Sequence, residues 1–219
     1  QLTEPKADLS KNYRLTGDID LKGVEFKGIG SLENPFKGTF DGGGFTISNV
    51  KINGEKKHNV GFFNFIRGAT IIRLSLKDID IKGDYSVGGL VGVGDVKVAA
   101  NQNQENIGNN IGNCHVTGKV TATNTDDSKN GNGAYAGGLI GFNNGDENKK
   151  IYASVLSSID KSTANVEVRA DANYAGGFAG GNFGNITACK AFGSVKAKKP
   201  YSLVVVPCFV VRSKTVALM

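Results

Sequence analysis

Apolar side chains recur along this chain in short groups, not in long stripes. One group places them at a first position, three residues on and five residues on. It reads Ile47, Val50 and Ile52, then Ile71, Leu74 and Leu76, then Ile111, Cys114 and Val116, then Ile186, Cys189 and Ala191. Ile151, Ser154 and Leu156 form a weaker copy, so successive copies start 24, 40, 40 and 35 residues apart. A second group alternates with the first. It runs from Tyr85 to Gly92, from Tyr135 to Gly141 and from Tyr174 to Gly180, each copy holding a glycine pair, two apolar residues and a further glycine. Asn59 to Asn64 is a diverged copy.

Each group suits a strand and is too short for an amphipathic helix. A unit of this size cannot bury its apolar side alone, but a stack of copies can. In a parallel solenoid, matching residues of successive coils lie one strand spacing apart, about 4.8 Å. The pattern therefore predicts an all-β parallel solenoid of roughly five to seven coils. Its expected core is Ile47, Val50, Ile52, Ile71, Leu74, Leu76, Leu90, Ile111, Val116, Leu139, Phe178 and Ile186. Val50, Leu74, Cys114 and Cys189 are expected to share one position. The latter two would then be buried small apolar residues about two coils, or roughly 9.6 Å, apart, too far for a disulfide.

Composition agrees. Gly is 31 of 219 residues, Pro only 4, and Trp is absent. Without a Gly-X-Y period this is a turn-rich β chain and not collagen. The net charge of +6 comes from scattered Lys and reads as a solvated surface. Nothing in it has the spacing of a nucleic-acid-binding motif. No run reaches the roughly 20 apolar residues of a membrane span. Three cysteines, Cys114, Cys189 and Cys208, are too few for a disulfide framework.

The stretch from Asn34 to Val50, followed by the Gly-Gly-Leu-Val-Gly units, resembles the GLUG repeat family. Tyr13 to Leu21 resembles the strand that precedes the first such repeat, and the resemblance spans about residues 12–197. It implies a right-handed parallel β-helix from a bacterial cell-surface or secreted protein. Such repeats occur in adhesin-like proteins and in the non-catalytic N-terminal portion of immunoglobulin-A-specific zinc metallopeptidases. The metallopeptidase chemistry needs His-Glu-x-x-His on one helix, whereas His58 and His115 are 57 residues apart and neither precedes Glu.

Three parts are expected: an N-terminal cap or remnant at 1–11, the repeat domain at 12–199 and an atypical tail at 200–219. In the tail the repeat grammar stops, although Tyr201 follows Tyr174 by 27 residues, near the place of a further Gly-Gly unit. Val-Val-Val-Pro codons read one base earlier can encode a glycine pair. The tail thus reads as a frameshifted or foreign end, with an apolar cap strand as the alternative.

No catalytic, cofactor-binding or metal-binding residue is assigned. Asp18, Asp20 and Asp41 lie near strand ends, where a carboxylate serves turn hydrogen bonding before calcium or acid–base work. The glycine runs lack the Lys-Ser/Thr of a phosphate loop. Asn185-Ile-Thr187 matches a glycosylation acceptor, and Lys196, Lys198 and Lys199 read as a solvated end. Two polar inserts, residues 97–110 and 123–133, interrupt the repeat and are expected as loops on one side, the side that binds in many solenoids. The expected role is a non-catalytic adhesion, ligand-presenting or spacer module, with a host protein or glycan as partner and end-to-end self-association at uncapped ends. The alternatives are an accessory region of a secreted metallopeptidase and a carbohydrate-active β-helix enzyme. The last needs clustered outward carboxylates, where the repeats carry mostly Ser, Asn, Lys and Thr.

Overall fold

The computed structural model describes residues 7–97, 107–124, 134–143, 157–171 and 174–197, all strand, turn or irregular backbone. The tail at 200–219, with Cys208, and the weak copy at 151–156 lie outside the described residues. Each coil passes through up to four parallel sheets in turn. Sheet I has six strands, stacking Tyr13–Arg14, Thr39–Asp41, Thr70–Ile72, Asn110–Gly112, Ser158–Asp160 and Asn185–Thr187. Sheet II has eight, its long members being Ser75–Gly83, His115–Ala122 and Thr163–Ala170. Sheet III stacks Asn59–Val60, Ser86–Gly88, Tyr135–Gly137 and Tyr174–Gly176. Sheet IV stacks Phe63–Arg67, Val91–Asp95, Ile140–Asn143 and Ala179–Asn182. Every pairing between these strands is parallel and links one coil to the next, which makes the chain a parallel β-helix.

The three-then-five spacing has a backbone cause. In a straight strand, residues three apart face opposite sides. Here the residue two after the first apolar position adopts left-handed backbone: Arg73, Asn113, Lys161 and Ala188 have φ of 55°, 51°, 47° and 50°. That kink turns the chain from sheet I into sheet II, so the apolar residues on both sides of it point inward. All of the expected core is buried except Ile186, which is half-buried in the last described coil.

Two repeat alignments differ from expectation. Ile47 pairs with Leu76 and Ile52 with Ile81, whereas Ile71 pairs with Phe40. The first copy thus sits one element further along, and Val50 does not share the position of Leu74. The reason is a second left-handed kink, at Asn49 (φ 58°) and Asp78 (φ 54°), which repeats the same apolar spacing within sheet II. The coil between Cys114 and Cys189 is led by Ile159, which pairs with both Ile111 and Ile186. Its other two positions are the small Ser162 and Ala164, which hide the pattern. The register Ser86↔Tyr135 also shows that Tyr85 stands one place before the rung of Tyr135 and Tyr174.

The glycine-rich group makes the bend from sheet III to sheet IV. Leu90, Leu139 and Phe178 fill the inside of that bend, with Leu90 N donating to Leu139 O and Leu139 N to Phe178 O, both at 2.8 Å. Around them the two strands approach backbone to backbone. A Cβ added at Gly137 would stand 1.9 Å from Ile140 O and 2.7 Å from Gly180 N.

Coil length separates framework from inserts. Residues hydrogen-bonded across adjacent coils are 27 apart at Asn12 and Thr39 and again at Ser162 and Cys189. The separation is 40 at Ala69 and Asn109 and 48 at Cys114 and Ser162. At the N-terminal end Leu9 is buried, and its carbonyl accepts from Lys37 N and Gly38 N.

Candidate binding surface and insert corners

The three aspartates singled out in the sequence are all engaged in hydrogen bonds across coils, and Asp20 and Asp41 in turn bonds as well. Asp41 points outward from sheet I, where Arg73 donates through Nε to its Oδ1 (3.0 Å) and through Nη2 to its Oδ2 (2.5 Å). Gly43 N donates to Oδ1 at 2.9 Å, and Arg14 Nε lies 3.6 Å from Oδ2. Asp18 accepts from Thr46 N (2.8 Å), and Asp20 accepts from Asn49 Nδ2 (2.7 Å) and Lys22 N (2.9 Å). Among the described residues no group of three His, Cys, Asp or Glu could hold a metal ion.

The Arg73 hydrogen bonds, followed by that from Gly43, hold the Asp41 carboxyl below its ordinary 3.8. A carboxylate held down in the folded state stabilises the fold fully above its unfolded value, and that gain is lost as pH falls through the lowered folded value. Arg73→Leu is therefore expected to shrink the loss of thermal stability below pH 4 relative to the parent chain. Melting curves from pH 6 to pH 2 measure this. Parallel pH profiles for variant and parent would show that the pair contributes nothing.

Cys114 and Cys189 are both buried, and Ser162 lies between them. Ser162 Oγ accepts from Cys114 N at 3.1 Å, and Ser162 N donates to Cys189 Sγ at 3.4 Å. The two-coil separation is thus present, with Ser162 as the intervening residue. Burial pushes the Cys114 thiol up to about 12, so it stays protonated. The histidines are apart: His115 Nδ1 lies 2.9 Å from Thr163 Oγ1, and His58 stacks on Tyr85 with centroids 6.0 Å apart.

The outward face of sheet II carries a ladder of alternating charge. Lys51, Asp80, Lys119 and Glu167 stand in register on successive coils. Lys119 Nζ lies 3.8 Å from Glu167 Oε2 with both side chains well exposed, so the pair adds at most about 1 kcal/mol. The ladder neutralises itself. A chain of rings runs from sheet III onto sheet IV instead: Tyr135 stacks on Tyr174 at 4.9 Å and meets Phe142 at 4.8 Å, and Phe142 meets Phe183 at 5.5 Å.

The inserts leave from two corners, not from one side. Residues 97–110 and the stretch before Ser157 both lie between sheets IV and I, whereas 123–133 lies between sheets II and III. The first insert is also shorter than its polar composition suggests. Lys97 and Ile107 form an antiparallel bridge with both N–H···O distances at 2.8 Å, and Asn110 already belongs to sheet I. Asn109 is a buried clamp. Its Oδ1 accepts from Ala69 N (3.0 Å), and its Nδ2 donates to Asp95 O (2.7 Å) and Ser157 Oγ (3.1 Å). It ties the end of this insert to the coil before and the coil after. Beside it, Arg67 Nε donates to the mostly buried Asp95 at 2.7 Å.

The GLUG motif matches residues 171–196, which include the last Gly-Gly unit and the strands after it. Halomucin of Haloquadratum walsbyi is 29% identical over 195 residues, covering 85% of this chain. The chain spans 2% of halomucin's length. A crystal structure of a candidate immunoglobulin A1 protease from Bacteroides ovatus matches 85% of this chain and 71% of its own, with a TM-score of 0.50 and 16% identity. At that identity the likeness concerns the fold.

Proposed function

We propose that this GLUG-motif β-helix is a non-catalytic repeat module of a cell-surface or secreted protein, built to hold binding segments on a rigid stack. The observation that carries this reading is the corner between sheets IV and I. There two consecutive coils, 40 and 48 residues long where the compact ones have 27, both carry extra residues, the longer one holding the insert at 123–133 as well. Buried Asn109 and Ser157 lock those coils to each other. A repeat that served only to lengthen the stack would keep the compact coil. The likeness to halomucin and to the Bacteroides protein supports a surface or secreted setting. A host protein or glycan is the proposed partner. Against a carbohydrate-active enzyme stand Asp18, Asp20 and Asp41, each of which is taken up by hydrogen bonds to the next coil.

The test is a glycan and host-protein array probed with the whole chain and with a variant lacking residues 98–106. The deletion is closed by an Asn-Gly turn between Lys97 and Ile107, a two-residue loop that lets the antiparallel Lys97–Ile107 pair form, and Asn109 is kept, so the framework bonds survive. A saturable hit weakened at least tenfold by the deletion, with an unchanged β-sheet spectrum, is the expected result. A hit that the deletion leaves untouched would move binding off this corner, and a blank array would leave a spacer.

A further inference from the structure

We propose that Asn143 holds one internal water molecule against Gly94, at a site created by a break in a ladder of buried amides. Gly94, Asn143 and Asn182 occupy one position on three successive coils of sheet IV. Asn143 is fully buried. Its Nδ2 donates to Asn182 Oδ1 at 2.7 Å, while its Oδ1 has no hydrogen-bond partner among the described residues. The amide cannot be turned round. Asn182 is fixed by donating through Nδ2 to Gly184 O (2.8 Å) and accepting from Gly184 N (3.2 Å), so a reversed Asn143 would set two acceptors face to face.

In an unbroken ladder the preceding coil would supply the missing donor, as Asn143 does for Asn182. That coil has Gly94. A Cβ built on Gly94 would stand 3.6 Å from Asn143 Oδ1 and 3.3 Å from both Asn109 Nδ2 and Ile140 Cδ1. The two shorter contacts are tight, but all three neighbours are side-chain ends and not backbone, so they can give by a few tenths of an ångström and admit a small group. The chemistry of the surroundings selects a neutral donor. The Asn143 oxygen demands a hydrogen, and the positive end of the Asn109 amide nearby disfavours a cation. A buried water makes two to four hydrogen bonds. The Asp95 carbonyl and Ser157 Oγ, both gathered on Asn109 Nδ2, are further acceptors beside it.

Gly94→Ser and Gly94→Ala separate this proposal from simple filling of space. Both add the same Cβ, but only the serine hydroxyl can replace the water as donor to Asn143 Oδ1. The alanine methyl expels it and strands the oxygen, a loss of about 1.4 kcal/mol or tenfold in the folding equilibrium constant. Urea unfolding is thus expected to place Gly94→Ser about tenfold above Gly94→Ala, and a crystal structure of the parent chain to show a water on Asn143 Oδ1 that is gone in Gly94→Ser. Equal stability of the two variants would overturn the proposal. A protein donor from residues 144–156 on that oxygen in the crystal would do the same.

Discussion

Gly137→Ala is expected to lower the stability of this β-helix by about 3 kcal/mol or more, read as a shift of the urea midpoint. The new Cβ would stand 1.9 Å from Ile140 O and 2.7 Å from Gly180 N, both backbone atoms of the close-packed bend. No rotamer relieves a clash with backbone, so sheets III and IV must separate in two coils at once. In a stack that gains its stability from neighbouring coils, the damage spreads beyond one bend. Gly17→Ala is the control: nothing lies within 4 Å of its added Cβ, and its midpoint is expected to move little. If Gly137→Ala behaved like the control, the close approach of the two strands would be wrong.

Asn109→Ala is expected to cost about 3 kcal/mol, from buried groups left unpaired. It strands Ala69 N and removes the amide donor from Asp95 O, at a residue only 2% exposed. The neighbouring Asn110→Ala, on the exposed side of the sheet I strand, should change stability by no more than about 0.5 kcal/mol. Equilibrium unfolding of the two variants side by side gives the comparison. A small effect at Asn109 would mean that the insert corner is not clamped to its neighbouring coils.

The repeat itself was legible because inward residues are apolar in most coils and because a Cβ at Gly88, Gly137 or Gly176 would stand about 2 Å from a backbone carbonyl oxygen. Leu90, Leu139 and Phe178 could be assigned to the core from that alone. Alignment of the copies was harder, for a physical reason. Left-handed kinks at Asn49 and Asp78 repeat within sheet II the spacing that Arg73, Asn113, Lys161 and Ala188 produce at the corner before it. One apolar pattern therefore marks two places on the coil. Ile159 was missed because Ser162 and Ala164 suffice where Cys114 and Val116 stand in the coil before. The clamp was hidden in the same way. Asn109 belongs to a polar run and is a common turn residue, and its partners Ala69 and Ser157 are 40 and 48 residues away. Only the stack brings them together. Asp20 and Asp41, by contrast, accept the short-range turn bonds that the sequence suggested, from Lys22 N and Gly43 N, whereas Asp18 accepts from Thr46 N on the next coil.

The most direct test of the stacked register is disulfide trapping between Lys119→Cys and Glu167→Cys. These outward positions pair directly in sheet II although 48 residues separate their coils. Paired residues on neighbouring strands lie within the Cα range that a disulfide spans, about 4.4–6.8 Å. Oxidation followed by peptide mapping should give an intramolecular bond between 119 and 167. A second pair, Lys119→Cys with Thr163→Cys, is four residues out of register and should stay reduced. A bond in the second pair and none in the first would contradict the coil assignment on which this account rests.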